Sequence, residues 1–354
     1  MKVKRVMIMA GGTGGHVFPA LAIAEKLKSQ QVEVEWLGTR GRMEEMLVPK
    51  YGYNIHYIDV KGVRRNGLKT MLKAPFMIVK AVLQAKKILR EFKPDLVIGM
   101  GGYASGPGGF AAYLMKIPLL VHEQNAAAGL TNKLLFKLAD TVMLGFPGAF
   151  EGKKVKVVGN PVRDSIRILY EQERAYNTLP LRITIVGGSL GAQALNNIVP
   201  LGLKKFTDNN VISVVHQCGK GNSSKVLPLY EGASFEYQVC DFIDDMQSLY
   251  KNTDLIICRA GALTVAETAC AGVPAIFIPL PTAVDDHQTK NASFLRDIGA
   301  AYIIPQSELT AESLYAKIAP LVKDMEILGN MSALLKKNAI TDATDKVMEV
   351  IEGL

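Results

Sequence analysis

Along this chain, short apolar runs rich in Val, Ile and Leu alternate with longer mixed segments that carry apolar positions at helical spacing. The runs predict strands at 3–10, 32–37, 54–60, 96–100, 119–122, 141–144 and 155–158, and the segments between them predict helices, for example at 19–29 and 75–92. Strands this short, joined by helical crossovers, imply a parallel sheet covered on both faces. The programme then restarts, with strands at 182–186, 212–217, 235–239, 255–258, 275–278 and 301–304. The expectation is an α/β chain of two doubly wound parallel-sheet domains. Glycine and proline in Gly159-Asn160-Pro161 mark the boundary, giving 1–160 and 161–340. The amphipathic last helix, within 341–354, can pack back on the first domain or stay with the second.

The halves echo each other. Lys93-Pro94-Asp95 leads into the apolar run 96–99, and Asn252-Thr253-Asp254 leads into 255–258; each run ends in a glycine-containing loop. A second echo opens each half. Gly11-Gly12-Thr13-Gly14-Gly15-His16 follows the first strand, and Gly187-Gly188-Ser189-Leu190-Gly191-Ala192 follows the first strand of the second series. A glycine loop between a strand and a helix can present backbone N–H groups and the positive helix end to a phosphate. Ligands of open α/β sheets bind at those strand ends.

Length and composition support two cores: 354 residues, 49% of them hydrophobic. The formal charge of +8 favours an anionic partner, a phosphorylated substrate or an acidic membrane surface. Nucleic acid is not expected, because no zinc-finger spacing and no basic run interleaved with aromatics is present. Cys218, Cys240, Cys258 and Cys270 form no C-x-x-C pair and read as free, buried thiols. No signal peptide and no spanning run of 18 or more apolar residues is visible.

The glycine loops do not match the common nucleotide fingerprints. G-x-G-x-x-G fits Gly12 and Gly14 but meets Val17 at its third position, and Leu37-Gly38-Thr39-Arg40 stands where the acid that binds a dinucleotide ribose belongs. Gly219-Lys220 is followed by Gly221, which breaks a Walker A match. The histidines His16, His56, His122, His216 and His287 form no H-E-x-x-H, and no D-x-D exists. No metal is therefore assigned, and a divalent cation is not expected to be strictly required. The chemistry-bearing residues left at predicted strand ends are His16, the loop 101–109, Glu123-Gln124-Asn125, Ser189, the run 259–267 and His287-Gln288. Bland readings compete: a tight turn for 101–109, a helix-surface charge for Glu267, a cap for His16.

At these residues the chain resembles the MurG family of N-acetylglucosaminyltransferases of bacterial cell-wall synthesis. The resemblance rests on Gly-Gly-Thr-Gly-Gly-His-x-x-Pro-Ala at 11–20, Gly-Gly-Tyr-x-Ser-Gly-Pro at 101–107, His-Glu-Gln-Asn at 122–125 and Gly-Asn-Pro-Val-Arg at 159–163. It continues with Gly-Gly-Ser-x-Gly-Ala at 187–192, Phe-Ile-x-x-Met at 242–246, Arg-x-Gly-Ala-x-Thr-x-x-Glu at 259–267 and Asp-His-Gln-x-x-Asn-Ala at 286–292. Each motif alone is weak; together, in this order from about residue 5 to the end, they are highly specific.

The resemblance implies a GT-B fold, two Rossmann-like domains facing a central cleft. It implies inverting transfer of GlcNAc from UDP-GlcNAc to the C4 hydroxyl of undecaprenyl-diphospho-MurNAc-pentapeptide (lipid I), giving the β-1,4-linked disaccharide lipid II and UDP. By the same resemblance, Ile243 meets uracil through its backbone. Ser189 and the helix start Ala262, Leu263, Thr264, Val265, Ala266 and Glu267 hold diphosphate and ribose, Glu267 taking the ribose, and Gln288 reads the sugar hydroxyls. Thr13, Gly14, Gly15, Asn125 and Arg163 complete the donor site. The acceptor's diphosphate maps to Gly12 and to Gly102, Tyr103, Ser105 and Gly106. At 287 this chain carries His where some relatives have a second Gln. His16 is the candidate for assisting loss of the acceptor proton, since imidazole titrates near working pH.

Family members act as peripheral proteins at the cytoplasmic face of the inner membrane, so an anionic membrane surface is an expected partner, with other cell-wall synthesis proteins as further candidates. On a helix from Pro75, Phe76, Val79 and Leu83 fall on one face with Ile78 and Val82 beside them, and Lys73, Lys80 and Lys87 line the other side. Two rivals stand against the transferase: another UDP-sugar enzyme of the same fold, such as a UDP-GlcNAc 2-epimerase, and a non-catalytic UDP-binding regulator.

Overall fold

The computed structural model describes residues 3–60 and 67–354, with side chains at all of them except 67–74 and 284. Two compact units emerge, 1–163 with 342–354, and 164–341.

The first unit opens with β1 (Arg5–Met9), α1 (Gly14–Ser29), β2 (Glu33–Gly38), α2 (Met43–Lys50), β3 (Asn54–Tyr57) and α3 (Gly67–Phe92). It continues with β4 (Leu96–Gly99), α4 (Ser105–Leu114), β5 (Leu119–Glu123), α5 (Leu130–Leu135), β6 (Thr141–Leu144) and β7 (Val155–Val157). All seven strands pair in parallel, in the order β3-β2-β1-β4-β5-β6-β7. Val6, Met7, Ile8 and Met9 are fully buried, as are Leu96, Val97 and Ile98. Central parallel strands lie under helices on both faces, which is why they read as continuous apolar runs rather than alternating ones.

The second unit holds α6 (Asp164–Arg167), β8 (Leu181–Val186), α7 (Gln193–Leu203), β9 (Ile212–Gln217), α8 (Ser223–Val226), β10 (Glu236–Cys240), α9 (Met246–Lys251) and β11 (Leu255–Cys258). It ends with α10 (Ala262–Ala271), β12 (Ala275–Phe277), α11 (His287–Asp297), β13 (Ala301–Ile303), α12 (Ala311–Lys323) and α13 (Glu326–Asn338). Its six strands are also parallel, ordered β10-β9-β8-β11-β12-β13. The last helix, α14 (Ala343–Glu352), belongs to the first unit. It buries Val347, Met348, Val350 and Ile351 in the same core as Val17, Leu21 and Ala24 of α1, and Lys26 pairs with Asp345 at 2.8 Å.

In each sheet the chain first winds one way and then crosses to the other side, so β1/β4 and β8/β11 are topological switch points, where α/β sheets open a crevice for ligands. The acidic residues that echo between the halves turn out to be structural. The Asp95 carboxylate accepts the backbone N–H groups of Lys4 and Arg5 at 2.8 and 2.9 Å, and those bonds hold its carboxyl below the usual carboxylate range. Asp254 likewise accepts Arg182 N–H at 2.9 Å and pairs with its guanidinium. Each clamps the entry of its sheet's first strand, at the end away from the glycine loops.

Two helix starts differ from expectation. α1 begins at Gly14 rather than 19, and α3 at Gly67 rather than 75, so Pro19 and Pro75 lie inside helices. Proline is favoured at a helix's first position, which drew the predicted starts to it. The shift of α1 matters, because it places Gly14, Gly15 and His16 in the first helical turn.

Candidate functional site

In the first unit the site grows from the switch point. β1 ends, the chain passes through 10–13, and α1 starts with Thr13 as an extended N-cap whose carbonyl accepts His16 N–H at 3.1 Å. His16 Nδ1 lies 3.0 Å from Gly11 O. A carbonyl can only accept, so Nδ1 carries the proton, and in the neutral ring Nε2 keeps its lone pair.

The loop after β4 packs directly on this turn. Gly101 and Gly102 sit at φ +98° and +90°. A Cβ on Gly101 would come within 2.9 Å of the His16 ring, and one on Gly102 within 2.6 Å of Gly11 O. Only glycine allows this approach. The two loops named in the sequence are therefore one structure.

The Ser105 side chain is fully buried, and its hydroxyl lies 2.7 and 2.9 Å from the carbonyls of Gly101 and Met9. It shapes the loop and does not present its side chain to an acceptor. Tyr103, by contrast, is 41% exposed, with the Arg42 guanidinium over its ring at 5.2 Å. Gly106 is in the first turn of α4.

At the end of β5, Glu123 is buried and organises the next loop. Its carboxylate accepts N–H from Asn125, the Asn125 and Asn132 side-chain amides, and Gly129 N–H, all within 3.2 Å. Asn125 is thus held at the C-terminal edge of the sheet. His122 is wholly buried and lies 2.9 Å from Gly159 O; burial pushes its pKa down to about 4, so it stays neutral and structural. Arg163 lays its guanidinium over the Phe18 ring of α1 at 4.9 Å.

In the second unit, the donor candidates line one edge of the sheet in strand order. Ile243 follows β10, Ser189 follows β8, the 262–267 run follows β11, and Gln288 follows β12. Ser189 is exposed on the loop before α7. Gln217, at the end of β9, ties two of these loops together. Its Nε2 donates to Gly188 O at 3.0 Å and Asp241 O at 2.8 Å, and its Oε1 accepts Gly188 N–H at 2.9 Å. Beneath them, His216 lies between Tyr230 Oη and Asn196 Oδ1 at 2.9 and 3.2 Å, its pKa lowered to about 4 by burial.

α10 starts on Gly261, whose carbonyl accepts Val265 N–H at 3.0 Å. Ala262, Leu263 and Val265 have buried side chains, while Thr264 and Ala266 are half-buried. What the buried three offer a ligand is backbone: the first-turn N–H groups and the positive helix end. Arg259 does not face a phosphate in this arrangement. Its guanidinium donates to Ile278 O at 3.0 Å and Gln306 Oε1 at 2.7 Å. Glu267 is buried in the second turn of α10 and accepts Tyr250 Oη–H at 3.2 Å, which replaces the helix-surface reading. Gln288 accepts Leu280 N–H on Oε1 at 2.9 Å, so its NH₂ is what remains for a ligand. Asn291, fully buried, donates to Ala260 O at 3.1 Å and fixes α11 to the entry of α10. Among the described residues no group of three or more His, Cys, Asp or Glu side chains is placed to hold a metal ion.

Sequence reading missed the residues that hold these loops: Glu44 (below), Glu123 as a clamp, and Gln217. Glu44 and Gln217 give no signal because Glu and Gln are commonly exposed, and Glu123 reads as ligand chemistry rather than as a clamp; the burial of all three is set by tertiary packing.

Two family models match the chain: the glycosyltransferase family 28 N-terminal domain over residues 6–144 and its C-terminal domain over 182–347. The UDP-N-acetylglucosamine–N-acetylmuramyl-(pentapeptide) pyrophosphoryl-undecaprenol N-acetylglucosamine transferase of Aeromonas hydrophila is 54% identical over 352 residues, covering 99% of this chain and 97% of the relative. That of Tolumonas auensis is 52% identical, with 99% of both chains covered. The chain belongs to the MurG family, within glycosyltransferase family 28. The crystal structure of Acinetobacter baumannii MurG superposes with a TM-score of 0.83 at 44% identity, over 99% of this chain and 100% of that one. A UDP-GlcNAc 2-epimerase from Neisseria meningitidis reaches a TM-score of 0.69 at only 14% identity and shares the fold alone. The expected GT-B-type architecture of two parallel-sheet domains is thereby met.

Proposed function

We propose that this enzyme transfers GlcNAc from UDP-GlcNAc to lipid I, producing lipid II and UDP in peptidoglycan synthesis. The observation that carries the reading is full-length identity of 48–54% to transferases of that name, and the site chemistry agrees with it. The first turn of α10 offers N–H groups to a diphosphate, and the Glu267 carboxylate behind it suits paired ribose hydroxyls. Ser189, Ile243 and Gln288 supply the remaining contacts from the second unit. Thr13, Gly14, Gly15, Asn125 and Arg163 are further donor contacts, and Gly12, Gly102, Tyr103 and Gly106 meet the acceptor. His16 takes the proton of the C4 hydroxyl at Nε2 as the anomeric carbon is attacked and UDP departs. Labelled UDP-GlcNAc incubated with and without lipid I tests the whole. Label should enter lipid only when lipid I is present; turnover of UDP-GlcNAc alone would indicate an epimerase, and binding without turnover a regulator.

The enzyme works without a strictly required divalent ion. Charge developing on the leaving diphosphate is offset by the N-terminus of α10, a fixed dipole. Turnover is expected to persist in excess EDTA, with modest stimulation by divalent ions that pair with substrate phosphates. Complete and reversible loss would overturn this.

The protein docks peripherally at the cytoplasmic face of an anionic inner membrane. Among the described residues no helix is long and apolar enough to cross a membrane. α3 exposes Phe76 (83%), Val79 (58%), Leu83 (61%) and Ile78 (45%), while Ala81, Val82, Ala85 and Leu89 are buried. Val82 thus belongs to the core face and leaves the expected apolar surface. The Lys73 side chain lies outside the described residues. Lys80 pairs with Asp59 at 2.8 Å and Lys87 with Glu91 at 4.0 Å, all exposed. Such pairs are weak and let the lysines swing to anionic headgroups. Changing Phe76 and Val79 to Ser and Lys80 to Glu should cut binding to anionic vesicles and turnover of the full-length lipid acceptor. Each Lys near such a surface contributes about 1 kcal/mol. Turnover of a short-chain, water-soluble acceptor should be spared; equal loss with both acceptors would assign docking to another surface.

A further inference from the structure

The His16 ring is held by a peptide group that is itself held by a buried carboxylate. Glu44, in the first turn of α2, is 1% exposed. Its Oε2 accepts Gly12 N–H at 2.9 Å, and its Oε1 accepts Thr39 N–H and Thr39 Oγ–H at 3.1 and 2.7 Å. Every partner is a donor, the pattern an ionised carboxylate requires. Space has been cleared for it: a Cβ on Gly11 would collide with the carboxylate, and one on Gly38 would lie 2.9 Å from its Cγ.

The N–H that Glu44 receives and the C=O that His16 uses are two ends of one peptide group, Gly11–Gly12. In a trans peptide they point to opposite sides. The carboxylate therefore sits on one side and the imidazole on the other, in the series Glu44 Oε2···H–N(Gly12)–C(Gly11)=O···H–Nδ1(His16). An anion on the N–H polarises the amide and makes its carbonyl a stronger acceptor, and bonds in series strengthen one another. Gly102 closes the third side of the same peptide, so it cannot turn away.

We propose that Glu44 is a positioning residue that, through the Gly11–Gly12 peptide, fixes His16 as the Nδ1–H tautomer and leaves Nε2 as the proton acceptor. The inference rests on the reading of His16 as the base. A carboxylate placed directly against His16 would add a second charge beside a lipid diphosphate; acting through a peptide, Glu44 orients the ring while its own charge stays buried.

The test uses the full-length enzyme labelled with ¹⁵N-histidine, its ring state read from two-bond ¹H–¹⁵N correlations at mildly alkaline pH. In the unaltered protein the His16 proton should be on Nδ1. In Glu44→Gln the Nε2–H form should grow, and kcat should fall about 10- to 100-fold, the loss expected for one charge-assisted hydrogen bond. The KM for UDP-GlcNAc should stay within about threefold, because the interaction acts on the chemical step. Thr39→Val removes the hydroxyl bond to Glu44 Oε1 but keeps the backbone Thr39 N–H bond and the Oε2 bond to Gly12, and should leave ring state and kcat near normal. On a His16→Ala background, Glu44→Gln should cost little more. A proton on Nε2 in the unaltered protein, an unchanged ring state and kcat in Glu44→Gln, or an equal loss in Thr39→Val would each overturn the proposal. Should Glu44→Gln fail to fold, Glu44→Asp, which keeps the charge but shortens its reach to Gly12 N–H, replaces it: a shifted ring state and lower kcat support the proposal, and no change in either overturns it. If the ring responds to Glu44→Gln while His16→Ala keeps its kcat, the relay stands and the base reading falls.

Discussion

His16→Ala is expected to lower kcat by about 10²–10⁴-fold, the usual contribution of a positioned general base, while moving the KM for UDP-GlcNAc far less. The geometry gives the reason. His16 stands in the first turn of α1 with Nδ1 bound to Gly11 O at 3.0 Å, and the ring packs against Gly101, which has no side chain to cover it. The only lone pair the neutral ring offers is on Nε2. Alanine also removes a ring that packs between two loops, so a fall in rate could reflect a displaced loop. His16→Asn separates the two effects: its amide NH₂ can still donate to Gly11 O, but it has no basic nitrogen. Both variants should lose kcat alike. If His16→Asn works normally, or if either variant changes KM alone, His16 shapes or binds and the base is elsewhere.

The chain announces its architecture more fully than its site. Both strand series were legible because buried parallel strands carry unbroken apolar runs such as Val6-Met7-Ile8-Met9 and Leu255-Ile256-Ile257, repeated at regular intervals between longer mixed segments. The glycine loops were legible because positions such as Gly101 and Gly102 require backbone that other residues rarely adopt. What the loops are fastened to was not. Glu44 stands next to Glu45 in a first helical turn, where acids are common on the surface; only the fold shows that one is buried under the Gly11–Gly12 peptide while the other reaches Gly41 N–H. Ser105 shows the opposite case. A serine inside a glycine loop invites a ligand contact, and tertiary packing instead turns its hydroxyl onto the end of β1. Helix starts were misplaced at Pro19 and Pro75 for one shared reason: proline at a helix's first position is a local preference, and both helices begin upstream of their proline.

Glu267→Ala is expected to weaken UDP-GlcNAc binding about 10- to 100-fold, the loss of a charge-assisted hydrogen bond worth about 1.5–3 kcal/mol. Glu267 is 4% exposed and lies one turn behind the N–H groups that open α10, so a diphosphate on those N–H groups brings the attached ribose toward the carboxylate. Burial makes the residue valuable to a ligand and also to the fold. Tyr250 Oη–H donates to Oε2 at 3.2 Å, and Glu267→Ala leaves that hydroxyl without this acceptor, at a stability cost of about 1–3 kcal/mol. Glu267→Gln keeps an amide oxygen for Tyr250 and removes only the charge. It should therefore unfold close to the unaltered enzyme while still binding UDP-GlcNAc more weakly. Tyr250→Phe completes the comparison, since it removes the hydroxyl and leaves the carboxylate; it should bind the donor with little loss. Calorimetry on the three variants, each first shown to unfold cooperatively, separates the roles. Donor affinity unchanged in Glu267→Ala and Glu267→Gln would remove Glu267 from the ribose and leave it as the buried partner of Tyr250.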